Sequence, residues 1–230
     1  MNYVKEIIRG EITKLFQDKQ VLLSGIAVTL IWTFIAIPTA SSEEVASVAN
    51  VPLFISTAVG VFIIYLLSTY VFINEKRQKS IETLLCTPVN LREVWLGKSI
   101  TVMILAYSAS LMSALIIFIG TSVLQNSIVI PEISFLAYQI LITPIFFLAL
   151  TGLVGLFEFI FGMKENRILN FGFFFLIMFF FGFVNSLVTQ NNFVSWLFVG
   201  IAAVAALLLL GLSFYLVKFI SKEKIVTTLE

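Results

Sequence analysis

Six stretches of the chain are apolar for long enough to cross a lipid bilayer: 21–38, 53–73, 99–120, 135–157, 169–187 and 194–217. A hydrocarbon core about 30 Å thick needs roughly 20 apolar residues of α-helix. The six runs contain no Lys, Arg or Asp. They are also unbroken, whereas the strands of a membrane barrel would alternate at every second residue. Inside hydrocarbon each backbone donor and acceptor needs a partner, and a helix finds it within its own segment. The pattern therefore predicts an all-α polytopic membrane protein with six transmembrane helices. Residues 1–20 read differently. Val4, Ile8, Ile12, Leu15 and Phe16 fall on one side of a helix, with Lys5 and Arg9 on the other. That is the pattern of an amphipathic helix lying in the membrane interface, although Glu11 falls near its apolar side. The organisation expected is an interfacial helix over 1–20 and a six-helix transmembrane domain over 21–230, with a long internal loop at 74–98.

Composition agrees and excludes several classes of function. Hydrophobic residues make up 60% of the 230 positions and charged ones 12%, against roughly 45–50% and 25% in soluble domains. Mean hydropathy is +1.06. A water-soluble particle of this size leaves too much surface exposed to hide so much apolar area, so a soluble enzyme and a disordered chain are both excluded. The net charge of +1 provides no basic field to hold a nucleic acid. One cysteine, Cys86, permits no internal disulfide. With no histidine and a single thiol, a metal would have only oxygen ligands, so zinc and haem chemistry are not expected. Histidine-based acid–base catalysis is absent outright. The first twenty residues are too polar to be the start of a cleaved signal peptide.

The basic residues set an orientation. All 14 Lys and Arg fall in the N-terminal segment, the loop after the second run, the loop after the fourth and the C-terminal tail. The loops 39–52, 121–134 and 188–193 carry only Glu43, Glu44 and Glu132. By the positive-inside rule both termini and the two basic loops are cytoplasmic. An even number of spans fits that arrangement, and no outer loop is long enough to capture a ligand. Pro38, Pro52 and Pro131 stand near the ends of spans, where a missing backbone donor costs least, and Pro144 within the fourth predicts a kink.

The loop 74–98 carries the most specific information. Ser80 can cap a short helix with Ile81, Leu84 and Leu85 on its apolar side, and Pro88 stops it. Asn90 followed by Glu93 has the form of a capping box opening the third span. Glu75, Arg77, Glu82 and Arg92 give the loop a charged side. A short rigid helix joined to two spans can pass a push from a cytosolic partner into the membrane. A solvated loop serving only the charge asymmetry is the plainer reading. The stretch resembles the signature of ABC-2 type transporter permeases: Glu75, Ser80, Ile81, Glu82, Leu84, Leu85, Thr87, Pro88, Val89, Asn90, Glu93, Val94, Gly97 and Lys98 match it. Lys79 stands where that family usually has glycine. The resemblance implies that two such subunits pair, as identical copies or paralogues. Each would dock this coupling helix into one of two cytosolic ATPase subunits, and the assembly would export something. The coupling residues would be Glu75, Arg77, Ser80, Ile81, Glu82, Leu84, Leu85, Pro88 and Arg92. ATP and Mg²⁺ would sit on the partner ATPase, and this chain would bind no cofactor. Gly97-Lys98-Ser99 has the look of the end of a phosphate-binding loop, but Arg92 occupies the position that motif reserves for its first glycine.

A translocation path should place polar groups within spans. Thr57, Tyr65 and Ser68 fall within an arc of about 80° on the second span, beside Gly60. The resemblance implies that this span and the fifth face the path, which adds Phe179 and Asn185. The alternative is that the hydroxyls bond their own helix or a neighbour. Ala106, Ser110 and Ala114 form a row of small residues suited to close helix packing. Trp95, Trp196 and Tyr215 are expected to be interfacial anchors. Glu158 either pairs with Lys164 and Arg167 at the membrane boundary or carries a proton or substrate role. The expected function is the permease subunit of an ATP-driven exporter in a prokaryotic plasma membrane, moving a hydrophobic or amphipathic drug, lipid or peptide. An ion-coupled carrier or channel, and a membrane anchor that recruits an ATPase without moving cargo, are the alternatives.

Overall fold

The computed structural model describes residues 2–41, 50–73, 90–126, 128, 130–161, 172, 175 and 196–219. Among these residues every regular element is helical. The chain runs through α1 (Asn2–Gln17), α2 (Lys19–Ser41) and α3 (Asn50–Ser68), which continues into a π-helical turn (Thr69–Ile73). Then come α4 (Leu91–Gln125), α5 (Ile133–Ala137), a second π turn (Tyr138–Ile142), α6 (Thr143–Ile160) and α7 (Trp196–Leu216), closed by a 3-10 turn (Val217–Phe219). Five segments among the described residues are long and apolar enough to cross a membrane: Lys19–Pro38, Val51–Ile73, Leu91–Gln125, Ile133–Ile160 and Trp196–Leu216. They overlay the first four expected spans and the sixth. The expected fifth, 169–187, lies outside the described residues apart from Gly172 and Phe175, both helical. The chain is a multi-pass, all-helical membrane protein.

The third span organises the bundle. α4 has 35 residues, about 52 Å of helix at 1.5 Å per residue, well over the thickness of hydrocarbon. It packs against α1, α2, α3 and α6, while α7 lies on α6. Its start is the one read from sequence: Asn90 Oδ1 accepts the Arg92 N–H at 3.2 Å, with Asn90 in the extended conformation of an N-cap. Its end is set by Asn126, whose φ of 49° turns the chain into the left-handed region that asparagine tolerates. The outer faces of α2 and α7 expose Leu23, Ile31, Phe34, Leu197, Val204 and Leu208, a surface suited to lipid.

Polar contacts join the spans at depth. The Thr33 and Ser113 hydroxyls meet at 2.8 Å between α2 and α4. Gln139 Nε2 donates to Ser110 Oγ at 2.9 Å, and Ser56 Oγ donates to Gln139 Oε1 at 3.5 Å, so one amide bridges α3, the second π turn and α4. Such bonds contribute roughly 1 kcal/mol each within a bilayer. The π turn also accounts for the distortion expected at Pro144. Proline has no N–H and crowds the carbonyl four residues back. The helix widens just ahead of it, so that both the N–H and the hydroxyl of Thr143 reach the Tyr138 carbonyl.

The break between α1 and α2 is built on Asp18. Its Oδ1 accepts the N–H groups of Gln20 at 3.1 Å and Val21 at 3.4 Å, the geometry of an N-cap on α2. Its Oδ2 accepts the Tyr70 hydroxyl at 2.7 Å. The Tyr70 hydrogen bond, more than any other influence, holds the Asp18 carboxyl below its ordinary value of 3.8. A carboxylate favoured in the folded state stabilises it above that ordinary value and stops doing so as pH falls below it. Thermal unfolding in detergent is therefore expected to show a loss of stability below about pH 4, and Asp18→Asn should remove that part of the acid slope. An unchanged slope in Asp18→Asn would show that the capping carboxylate is not its source.

Candidate functional site

The two ends of the loop 74–89 are the first π turn and the start of α4, and they are fastened to each other. Lys98 is the one Lys or Arg buried among the described residues, at 1% exposure. Its ammonium donates to the Val71 carbonyl at 2.9 Å and lies 5.7 Å from the centre of the Phe72 ring. A cation against carbonyls of the last turns of a helix is also favoured by the helix dipole. The same ammonium stands 3.6 Å from Glu11 Oε1, which Lys14 approaches to 3.0 Å. Glu11, the residue that interrupted the apolar side of α1, is itself buried. Beside it Gly97 lets α1 approach closely, since a Cβ there would lie 2.7 Å from Ile7 Cγ2. Ile7 and Leu15 pack into the bundle core, whereas Phe16, expected on the same side, is 57% exposed.

Among the candidate coupling residues, Arg92 is described: it is exposed on the first turn of α4, whose Leu91, Val94 and Trp95 are buried. Glu75, Arg77, Ser80, Ile81, Glu82, Leu84, Leu85 and Pro88 lie outside the described residues. Gly97, Lys98 and Ser99 are interior residues of a helix. Their backbone groups belong to the helix and the lysine to Val71 and Glu11, so this stretch is not a phosphate-binding loop.

The candidate path residues are spread along α3. Thr57 is buried and its Oγ1 donates back to the Leu53 carbonyl at 2.6 Å. Ser68 is buried as well, its hydroxyl without a hydrogen-bond partner among the described residues. Tyr65 is half-buried. Phe179 and Asn185 lie outside the described residues. Ala106, Ser110 and Ala114 are buried between helices. An apolar groove of about 340 Å³ opens where α1 and α2 meet the bundle, lined by Leu15, Phe16, Gly25, Ile63, Leu105 and Met112 among others. Glu158 is wholly buried on α6 and accepts from Thr69 Oγ1 at 3.4 Å. Lys164 and Arg167, its expected partners, lie outside the described residues. Among the described residues no three His, Cys, Asp or Glu side chains gather as a metal site would require.

Trp95 corrects an expectation. It is not an interfacial anchor but a packing element at 2% exposure. Its indole N–H donates to the Gly152 carbonyl at 2.9 Å, and its ring meets Phe214 edge to face at 5.6 Å. α4 begins packing at its first turn, so Trp95 is already inside the bundle. Trp196 and Tyr215 are exposed, at 63% and 56%.

A comparison with protein families decides the class of the molecule: the model for ABC-2 family transporter proteins matches residues 2–196. The chain belongs to the ABC-2 family of transporter proteins. Neither a curated protein nor a solved structure matches it significantly. Membership makes the chain a permease subunit of an ABC transporter and implies an ATPase partner. In this permease the residues that sequence reasoning missed are Glu11 as a buried partner and Lys98 as the tie between helices. Each had left a mark: an acid on an apolar face and a cation at the threshold of an apolar run.

Proposed function

We propose that the permease is the membrane half of an ATP-driven exporter. In this reading residues 74–98 form the cytoplasmic elbow that docks on a cytosolic ATPase, with Glu75, Arg77, Glu82 and Arg92 supplying directional contacts. Ile81, Leu84 and Leu85 supply a small apolar plug, framed by Ser80 and Pro88. Two permease subunits, identical or paralogous, pair over two ATPase subunits, which hold ATP and Mg²⁺. Both termini face the cytoplasm of a prokaryotic cell, and α1 rides in the membrane interface. Closure of the ATPases moves the elbows, and the spans switch a cavity between the subunits from inward- or membrane-open to outward-open. Thr57, Tyr65, Ser68, Phe179 and Asn185 line that path, and the cargo is a hydrophobic or amphipathic drug, lipid or peptide. One observation carries the reading. The loop with the family's signature has its two ends bound together through Lys98 and Val71, so force on the loop reaches two spans at once.

Co-purification tests it. Protein solubilised from its own membrane should bring down an ATPase subunit, and Glu82→Lys with Arg92→Glu should cut the recovered ATPase by about tenfold, the loss of roughly 1.4 kcal/mol of binding. Transport by the chain alone, indifferent to ATP and abolished by Glu158→Gln under a proton gradient, would establish an ion-coupled carrier instead.

A further inference from the structure

We infer that the groove beside α2 holds one acyl chain of a membrane phospholipid, with the headgroup phosphate set against Lys14 and Lys19 at its mouth. The groove follows from how α2 is seated. The second half of that helix is fastened to α4: Thr33 meets Ser113 at 2.8 Å, Ala36 and Ala40 are buried with Ile117, and Ile37 covers Gly120. The first half, from Val21 to Leu30, lines the groove instead, together with Ile63 and Leu67 of α3 and Leu105 and Met112 of α4. That stretch of helix is about 14 Å long at 1.5 Å per residue, close to half of a hydrocarbon core about 30 Å thick. The groove thus begins at the charged break between α1 and α2 and runs the depth of one leaflet.

Its walls select an alkyl chain. Thr29 and Ser108 are the polar residues of the lining, and each hydroxyl donates within its own helix, to the Gly25 and Leu105 carbonyls at 2.8 Å. A site for a compact drug would orient it with a few placed polar groups and enclose most of its surface. Here the groove lies open along one side, where Phe16, Ile26, Leu30 and Met112 are exposed. A helix of a second copy is too thick: about 10 Å across, it would fill roughly 1,000 Å³ over that length, against about 340 Å³ in the groove. Left empty, the apolar walls would forfeit dispersion contacts that a lipid chain supplies. The mouth suits an anionic headgroup. Lys14 and Lys19 are exposed there, while the two nearby carboxylates have turned to other partners. Glu11 takes Lys98 at 3.6 Å and Lys14 at 3.0 Å, and Asp18 accepts the Tyr70 hydroxyl at 2.7 Å. Three ammonium groups against two carboxylates leave a positive surplus for a lipid phosphate. Binding of this lipid needs neither an ATPase nor a cargo.

Native mass spectrometry of the full-length permease tests the site, with the protein delipidated in detergent and titrated with dioleoylphosphatidylglycerol or dioleoylphosphatidylcholine. The wild type should show one distinct first site per chain, about tenfold tighter for the phosphatidylglycerol, since each lysine near an anionic headgroup is worth up to roughly fivefold. Two variants fill the groove from different walls. In Gly25→Leu the new Cβ lies an ordinary 3.6 Å from Ile63 Cδ1, and Met112→Trp changes an exposed position. Each should abolish the first site while melting as a folded protein. Lys14→Gln/Lys19→Gln should keep the site and lose its preference for phosphatidylglycerol. A graded series of lipids with no distinct first site, or a first site indifferent to both filled variants, is ordinary boundary lipid and overturns the inference. Equal affinity of the wild type for the two lipids overturns it as well. So does loss of a dimer in the filled variants with lipid binding intact, which would make the groove a contact with a second copy.

Discussion

Trp95→Ala is expected to lower the stability of the folded permease by about 3 kcal/mol, near the lower end of the range for aromatic truncation in a packed interior. The lower end applies because lipid is as apolar as the protein interior, so transfer from water adds little and the cavity and lost contacts make up the cost. Trp95 is at once the partner of the Gly152 carbonyl, at 2.9 Å, and of the Phe214 ring, at 5.6 Å. It therefore closes α4 onto both α6 and α7. A Cβ at Gly152 would lie 2.8 Å from the indole Cζ2, so the glycine makes the room the ring fills. For a chain of this size 3 kcal/mol corresponds to a fall in Tm of about 6–12 °C. Trp95→Phe separates the two contributions: it keeps most of the ring, loses the indole donor, and should cost about 1 kcal/mol. A Trp95→Ala protein melting in detergent with the wild type would show that this contact does not hold the helices together.

Trp95 also marks where reading the sequence stops short. The spans were legible because an unbroken apolar run has one stable form in lipid, and the start of α4 was legible because Asn90 bonds within its own turn. Amphipathic spacing made α1 legible too. Local signals of that kind lie within a few residues of what they determine. The inward turn of Trp95 depends on Gly152, and the burial of Lys98 on Glu11 and Val71. All are partners far away along the chain, brought close only once the helices pack. Glu11 looked like a flaw in an apolar face because its justification sits on another helix. Thr57 shows the other side of the same limit. Its hydroxyl could equally have faced a path, and its bond to Leu53 is a choice made by the neighbours that bury it.

The close approach of α3 to α6 gives the second large effect. Gly60 faces the ring of Phe147, which is fully buried, and a Cβ at position 60 would clash with the Cζ and Cε2 atoms at the tip of that ring. Alanine favours a helix over glycine by about 1 kcal/mol, so Gly60→Ala would stabilise an isolated helix. In the bundle the ring has to leave its position or the helices have to part, and overpacking of that severity costs about 3 kcal/mol. The net expectation is a loss of about 2 kcal/mol, read as a lower Tm in detergent. Phe147→Leu should rescue it, because the shorter side chain vacates the space the new methyl takes. The double variant should then be more stable than the sum of the two single losses by about 1–2 kcal/mol, a coupling of the size found between residues in direct contact. Strict additivity would mean that the helices are not held at this point by shape. In a bilayer that outcome would be hard to reconcile with the fold. Apolar surfaces there gain little by leaving lipid for one another, so close approach at small residues has to supply much of the attraction between spans.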